Sequence, residues 1–251
     1  MKNDLGIIVG SGFEELGFAV RSRNSTKTPY GSPSSPILTV AIGSEDSVAC
    51  IARHGERHSI PPHAINYRAN IWGLYQSGVR RLIAVNVVGA IDTSFRPGTL
   101  AIPDQLIDYT WGREHTFHDG RDGNVEHVEF TEPFDPEIRG SLALALHATD
   151  GSVRSGVYGV TQGPRLETAA EIERLARDGC DMVGMTALPE AALAREAGIA
   201  YAICAIAVNF AAGRAPDGGS IHSEVERSMA DGAGRAREAL RLAVEDLANA
   251  P

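Results

Sequence analysis

Residues 201–213 read YAICAIAVNFAAG, eight apolar positions in succession followed by Asn209, Phe210 and three small residues. An uninterrupted apolar run of this length predicts a strand covered on both faces, the environment of a parallel sheet. Its polar end is then where the chain reaches solvent or a ligand. Just upstream, helical spacing over 188–197 ends at Gly198, which suits the left-handed position after a helix. The same helix–glycine–strand unit occurs earlier in the chain. Tyr67, Ile71, Leu74 and Tyr75 recur at helical spacing, Gly78 ends the helix, and RLIAVNVVGAI (81–91) follows with its own interrupting amide, Asn86.

Shorter strands are expected at 5–9, 37–42 and 47–52, and a further short run at DMVGM (181–185). A third helix is expected over about 168–178. The last helix carries Val225, Met229, Ala233, Ala236, Leu240, Ala243 and Leu247 as one apolar stripe. The most loop-like stretches are 21–36, 108–133 and the Gly/Pro-rich 213–220, the last a candidate mobile cover beside Asn209. Strands alternating with helices argue for an α/β fold with a parallel or mixed central sheet. Ligands of such sheets lie beyond the carboxyl ends of the strands, where Ser11, Asn86 and Asn209 stand.

The 251 residues, 43% apolar, are read as one domain spanning 1–251. A net charge of −9 without a Lys/Arg-rich block argues against a nucleic-acid partner. MKNDLGIIVG is too short an apolar run for a signal peptide and no stretch reaches membrane-spanning length, so neither export nor a membrane is expected. Cys50, Cys180 and Cys204 are three in number, far apart and in no CxxC pair, which fits reduced core thiols in a cytoplasmic protein.

Several segments carry possible chemistry, each with a plain structural alternative. GSG at 10–12 follows a strand but lacks the third glycine of a dinucleotide fingerprint and the lysine of a P-loop. It remains either a tight turn or an anion-holding loop using the Ser11 hydroxyl. Arg53 and His54 directly follow a strand, either as a solvated turn or as an oxyanion clamp built on the paired donors of a guanidinium. Pro61 and Pro62 break any helix through His54, His58 and His63, and no HExxH frame exists, so no metal is expected. Thr186 precedes a helix marked by Pro189 and Glu190, as cap, anion contact or both. Glu167 stands at a loop-to-helix junction with Thr168 as its cap. No GxSxG elbow supports a covalent nucleophile.

Taken in order, GIIVGSG, ARHGERHSIPPHAINYRANIW, VNVVGAI, GPRLETAAEIERL…DMVGMTALPEA and AVNFAAG resemble the trimeric purine nucleoside phosphorylase superfamily over nearly the whole chain. Within it the sequence is most similar to the branch that cleaves 5′-methylthioadenosine or 5′-methylthioinosine. The resemblance implies a mixed central sheet, partly barrel-like and flanked by helices. It also implies phosphorolysis of an N-glycosidic bond with inorganic phosphate as co-substrate and no organic cofactor.

By the same resemblance, phosphate is held by Ser11, Arg53, His54, the backbone around Val87, and Thr186. Met185 lies against the ribose, and Glu167 and Asn209 face the base. His127 reaches into a neighbouring subunit's pocket, which implies a homotrimer. Adenine-preferring members usually present Asp where Asn209 stands and Ser where Glu167 stands, so this pair favours a 6-oxopurine: methylthioinosine, inosine or guanosine. Methylthioadenosine phosphorolysis is the alternative, with a non-catalytic nucleoside binder and nucleoside hydrolysis behind it. The 5′ pocket is mixed. His222 resembles ordinary nucleoside phosphorylases, where it contacts a 5′-hydroxyl, or else it is an exposed residue at the start of the last helix. Val225 fits either pocket, and Glu226 falls where an apolar residue is common. Ser11 in place of the branch's more usual Thr, and the bulky Val87, are further departures.

Overall fold

A computed structural model of the chain describes residues 4–10, 18–120, 123, 125–150, 153–216 and 221–249, with side chains at 46, 150, 221–224, 226, 227 and 230 excepted. Ser11, residues 217–220 of the expected cover, and the side chains of His222 and Glu226 therefore lie outside the described residues.

The two helix–glycine–strand units form the centre. Helix α1 (Tyr67–Gln76) leads into strand β5 (Arg81–Ala90), and α4 (Ala187–Glu196) into β10 (Ala200–Phe210). Gly78 and Gly198 follow their helices at φ +96° and +67°, a conformation that a Cβ would oppose. β5 and β10 pair in parallel along their whole length, from Ala200 opposite Arg81 to Phe210 opposite Ala90. Alternate residues then serve opposite layers. Leu82, Ala84, Tyr201, Ile203, Ala205 and Ala207 pack with α1 and α4. Ile83, Val85, Ala202, Cys204, Ile206 and Val208 pack with α2 (Pro136–Asp150) and α5 (Ile221–Asn249). Burial on both faces is the physical reason the runs are apolar without alternation.

The remaining edge of β5 is shared. β1 (Leu5–Val9) pairs in parallel with Arg81–Ala84, and β9 (Met182–Gly184) pairs antiparallel with Gly89 and Ala90. β4 (Glu45–Ala52) adds to β1 in parallel, followed by β3 (Ile37–Ile42) and the edge strand β2 (Ala19–Asn24). On the other limb, β8 (Val157–Val160) joins β9, and β7 (Gln105–Asp108) joins β8. β6 (Leu100–Ala101) pairs with β10 and runs on into β7. The circuit β5–β10–β6/β7–β8–β9–β5 therefore closes on itself, which makes this half of the mixed sheet barrel-like.

Helix α3 (Ala169–Arg177) is capped as expected. The Thr168 side chain accepts from the Glu171 N–H, and Glu171 accepts in return from the Thr168 N–H. One expectation needs correcting: residues 21–24 of the loop-like 21–36 belong to β2. That strand is exposed throughout and pairs with β3 alone at the sheet edge, with Arg23 ion-paired to Glu56, so no buried face imprints a pattern on it.

Candidate functional site

The carboxyl ends of β1, β4, β5 and β10 point the same way, because all four are linked by parallel pairing. Around those ends lies a cavity of about 580 Å³, within the ordinary size of small-molecule sites. Arg53, His54, Val87, Met185, Thr186, Glu167, Asn209 and Val225 all line it. The fold thus brings together residues that are up to 172 positions apart (225 − 53). His127 is exposed and stands outside this cavity.

The Arg53 end of the cavity is built on a breach in the sheet. Between Ala84, where β1 leaves β5, and Gly89, where β9 arrives, neither strand pairs with that edge. Arg53 fills the place of a strand by donating from Nη1 to the Val85 carbonyl at 2.8 Å. Its Nε and Nη2 donate to the two Glu190 oxygens at 2.9 and 3.0 Å, and Nη2 also donates to Asn86 Oδ1 at 3.2 Å. The guanidinium is 1% exposed and Glu190 is fully buried. The expected clamp of paired donors is corrected accordingly. The fork faces Glu190, and the N–H left over is on Nη1, beside Gly10. A Cβ at Gly10 would fall 2.8 Å from that nitrogen, so the first glycine of GSG is required by the arginine behind it.

Asn86 continues the network, donating from Nδ2 to Thr186 Oγ1 at 3.1 Å and to the Tyr158 hydroxyl at 3.4 Å. Since Thr186 Oγ1 accepts from Asn86, its own proton is free to point elsewhere. Thr186 makes no side-chain cap, which leaves its hydroxyl out of the helix. Leu188, just before Pro189, is extended at φ −119°, ψ 142°, so regular turns of α4 begin only beyond the proline. Tyr201 donates to Glu190 Oε2 at 2.9 Å and completes the buried set. Burial pushes the Tyr158 hydroxyl up to about 12 and raises Tyr201 well above its ordinary value, so both stay protonated.

His54 Nδ1 lies 2.8 Å from the Ile60 carbonyl, which can only accept, so this nitrogen carries the proton. Burial, with smaller contributions from Arg53 and His58, lowers its pKa to about 4. The ring is neutral at pH 7 and Nε2 is an acceptor.

At the other end, Glu167 Oε1 accepts from Thr161 Oγ1 at 2.5 Å, which turns the carboxylate to the cavity wall. Asn209 Nδ2 gives one proton to the Phe210 carbonyl at 2.6 Å, leaving one N–H and Oδ1 available. The Asn209 amide also lies 3.3 Å from where a Cβ of Gly89 would stand. Val225 and Met229 of α5 add an apolar wall.

The supporting residues Glu190, Tyr158 and Tyr201 were not assigned site roles from sequence, and Asn86, expected at a strand's carboxyl end, lies inside β5 instead, where it bonds Arg53 and Thr186. Asn86 interrupting an apolar strand, and Glu190 one place after a proline, are the signals that mark them. Tyr158 and Tyr201 look like ordinary core aromatics until the network is seen.

A sequence profile described as the phosphorylase superfamily matches residues 4–245. The chain is 52% identical over 212 residues, 83% of it and 84% of the relative, to a probable S-methyl-5′-thioinosine phosphorylase of Xanthomonas campestris pv. campestris. It is 45% identical over 232 residues, 90% and 86% of the two chains, to a 6-oxopurine nucleoside phosphorylase of Pyrococcus furiosus. Among solved structures, methylthioadenosine phosphorylase from Schistosoma mansoni in complex with adenine superposes with a TM-score of 0.92 at 30% identity, covering 100% of this chain and 93% of that one.

Proposed function

The chain belongs to the phosphorylase superfamily, and on that premise we propose that it cleaves 6-oxopurine nucleosides with inorganic phosphate, 5′-methylthioinosine foremost. One observation carries the reading: Glu167 and Asn209, from separate segments, line the same cavity as Arg53, His54 and Thr186. An ionised Glu167 accepts from N1–H of a 6-oxopurine. The free N–H of Asn209 donates to O6, while its oxygen accepts from N7–H as the base departs. Adenine lacks N1–H and offers an amino group where O6 would be, so both contacts are mismatched. Sites built on such bonds reject the wrong partner by up to about 10⁴-fold. Relatives named for 6-oxopurine substrates, at 52% and 45% identity, support the same base class.

In the reaction a phosphate oxygen bonds to C1′ while the C1′–N9 bond breaks, its electron pair passes to the purine, and N7 takes a proton from solvent so that the base leaves neutral. No protein nucleophile is required. The chain's task is to hold the anion at C1′ and stabilise charge arriving on the base. The Arg53 Nη1 proton, the Thr186 hydroxyl and Ser11 serve the anion, and neutral His54 accepts the one proton of monohydrogen phosphate. Met185 lies against the ribose. Val225 and Met229 offer an apolar wall that suits a 5′-methylthio group. His222, whose side chain is outside the described residues, favours a 5′-hydroxyl, and inosine or guanosine is the second reading. Phosphate acts as co-substrate and no organic cofactor takes part. The active form is a homotrimer in which His127 completes a neighbour's pocket. Three buried free thiols suit a reducing, cytoplasmic setting.

The test is kcat/KM for methylthioinosine, methylthioadenosine and inosine, each with and without phosphate. Preference for methylthioinosine and dependence on phosphate are expected. A preference for the adenine nucleoside overturns the roles of Glu167 and Asn209, and base release without phosphate indicates hydrolysis instead.

A further inference from the structure

Arg53 and Glu190 neutralise each other, so the net positive charge behind the anion end has to come from elsewhere. Arg113, in the segment between β7 and α2, is 8% exposed, and no carboxylate pairs with it among the described residues. Its guanidinium is instead surrounded by backbone carbonyls from two cavity-forming segments. Nη1 donates to Met185 O at 2.8 Å and Leu188 O at 2.5 Å, on either side of Thr186. Nη2 donates to Gln162 O at 2.9 Å and Thr161 O at 3.3 Å, and the Thr161 hydroxyl in turn holds Glu167. Nη1 also meets the Tyr67 hydroxyl at 3.3 Å, whose own proton goes to the carbonyl of Pro62 in the cavity wall. Two residues earlier, the Trp111 N–H donates to Gln162 Oε1 at 3.1 Å, tying the same segment to the same loop.

We propose that Arg113 is a positioning residue: a buried cation without a carboxylate partner that locks the phosphate turn at 185–188 to the base loop at 161–167 and supplies the anion end with net positive charge. The inference rests on the phosphorolysis reading. It deepens that reading by naming what sets the distance between the two substrates. A guanidinium can bond several carbonyls in one plane, whereas an ammonium keeps the charge but cannot span the same set. A misplacement of about 1 Å between reacting groups costs on the order of 100-fold in rate.

Arg113→Met, Arg113→Lys and Thr161→Val separate charge from geometry, with methylthioinosine and inorganic phosphate as substrates. In Arg113→Met the phosphate KM is expected to rise about tenfold or more, and nucleoside kcat/KM to fall by on the order of 100-fold. Arg113→Lys should restore phosphate KM to near the wild-type value while nucleoside kcat/KM stays low. Thr161→Val should narrow the preference for methylthioinosine over methylthioadenosine with phosphate KM unchanged. A role in folding alone would lower the melting temperature and leave the KM values in place. An unchanged phosphate KM in folded Arg113→Met, or no recovery in the lysine variant, overturns the proposal. Should neither arginine variant fold, an unaltered base preference in Thr161→Val overturns it. Wild-type protein that releases no base with phosphate refutes the underlying reading instead, which keeps the two failures distinct.

Discussion

Asn209 spends one amide proton on the carbonyl beside it, and that bond fixes which way the side chain can face. The Phe210 oxygen accepts only, so Oδ1 is turned from it toward the cavity. In Asn209→Asp a carboxylate oxygen would oppose that carbonyl unless it bound a proton, and a protonated Asp can donate to N7 of adenine. The kcat/KM ratio should move at least about tenfold toward methylthioadenosine, and a constant ratio in parallel assays would remove the contact from the mechanism. His54 couples stability to pH. Its folded pKa of about 4 lies below the 6.5 of the unfolded chain, chiefly through burial. Between these values the unfolded state binds the proton and the folded state does not, so stability rises with pH across that window and is flat above it. His54→Asn keeps a donor for Ile60 and loses the titration. In urea melts at pH 4.5 and 7, the variant's pH-dependent loss should be smaller than wild type's by on the order of 2 kcal/mol. Equal losses would show that His54 is already protonated or exposed.

At the level of elements, α5 closes the cavity with Val225 and Met229 because its middle lies directly on β10. A Cβ at Gly232 would fall 2.5 Å from Ile206 Cγ2. Gly232→Ala should therefore lift the helix and cost about 1–3 kcal/mol, read as a lower urea midpoint together with a raised nucleoside KM. A helix propensity gain with unchanged KM would mean that the contact relaxes freely. The apolar runs of β5 and β10, the glycines after α1 and α4, and the stripe of α5 were legible in the sequence because burial imposes them on composition. Helix α2 was not, since its SLALAL core alternates with a strand-like period and leaves Leu144 67% exposed. Its start was marked all the same: Asp135 accepts from the Ile138 N–H, and Pro136 stands at the first helical position. Motifs named Arg53, His54, Glu167, Thr186 and Asn209, which do meet in one cavity, and also His127, which stands outside it. Arg113 and the pairing of Arg53 with Glu190 were not legible, because partners 137 residues apart meet only through the fold.

For the molecule as a whole, His127 is exposed and outside its own chain's cavity, so a substrate contact by this residue requires a second subunit. Co-expressing His127→Ala with Asn209→Ala tests the proposed trimer, because a mixed assembly rebuilds intact pockets from one defective chain of each kind. Random association predicts about a quarter of wild-type activity where each variant alone has little. Failure to complement, or full activity of His127→Ala by itself, would count against a shared pocket. The breach in β5 lies between the pairing of β1 and that of β9. Because Arg53 plugs it, the phosphate berth proposed there would be fixed by the innermost strand register, while the residues proposed to choose nucleobase and 5′ group stand in the 161–167 loop, at the end of β10 and on α5. Descendants of such a scaffold can trade one nucleoside for another by changes at those tips, but moving the attacking group's berth would mean sliding three strands together. Under the proposed roles, reaction type and substrate repertoire would thus be inherited on separate parts of the chain.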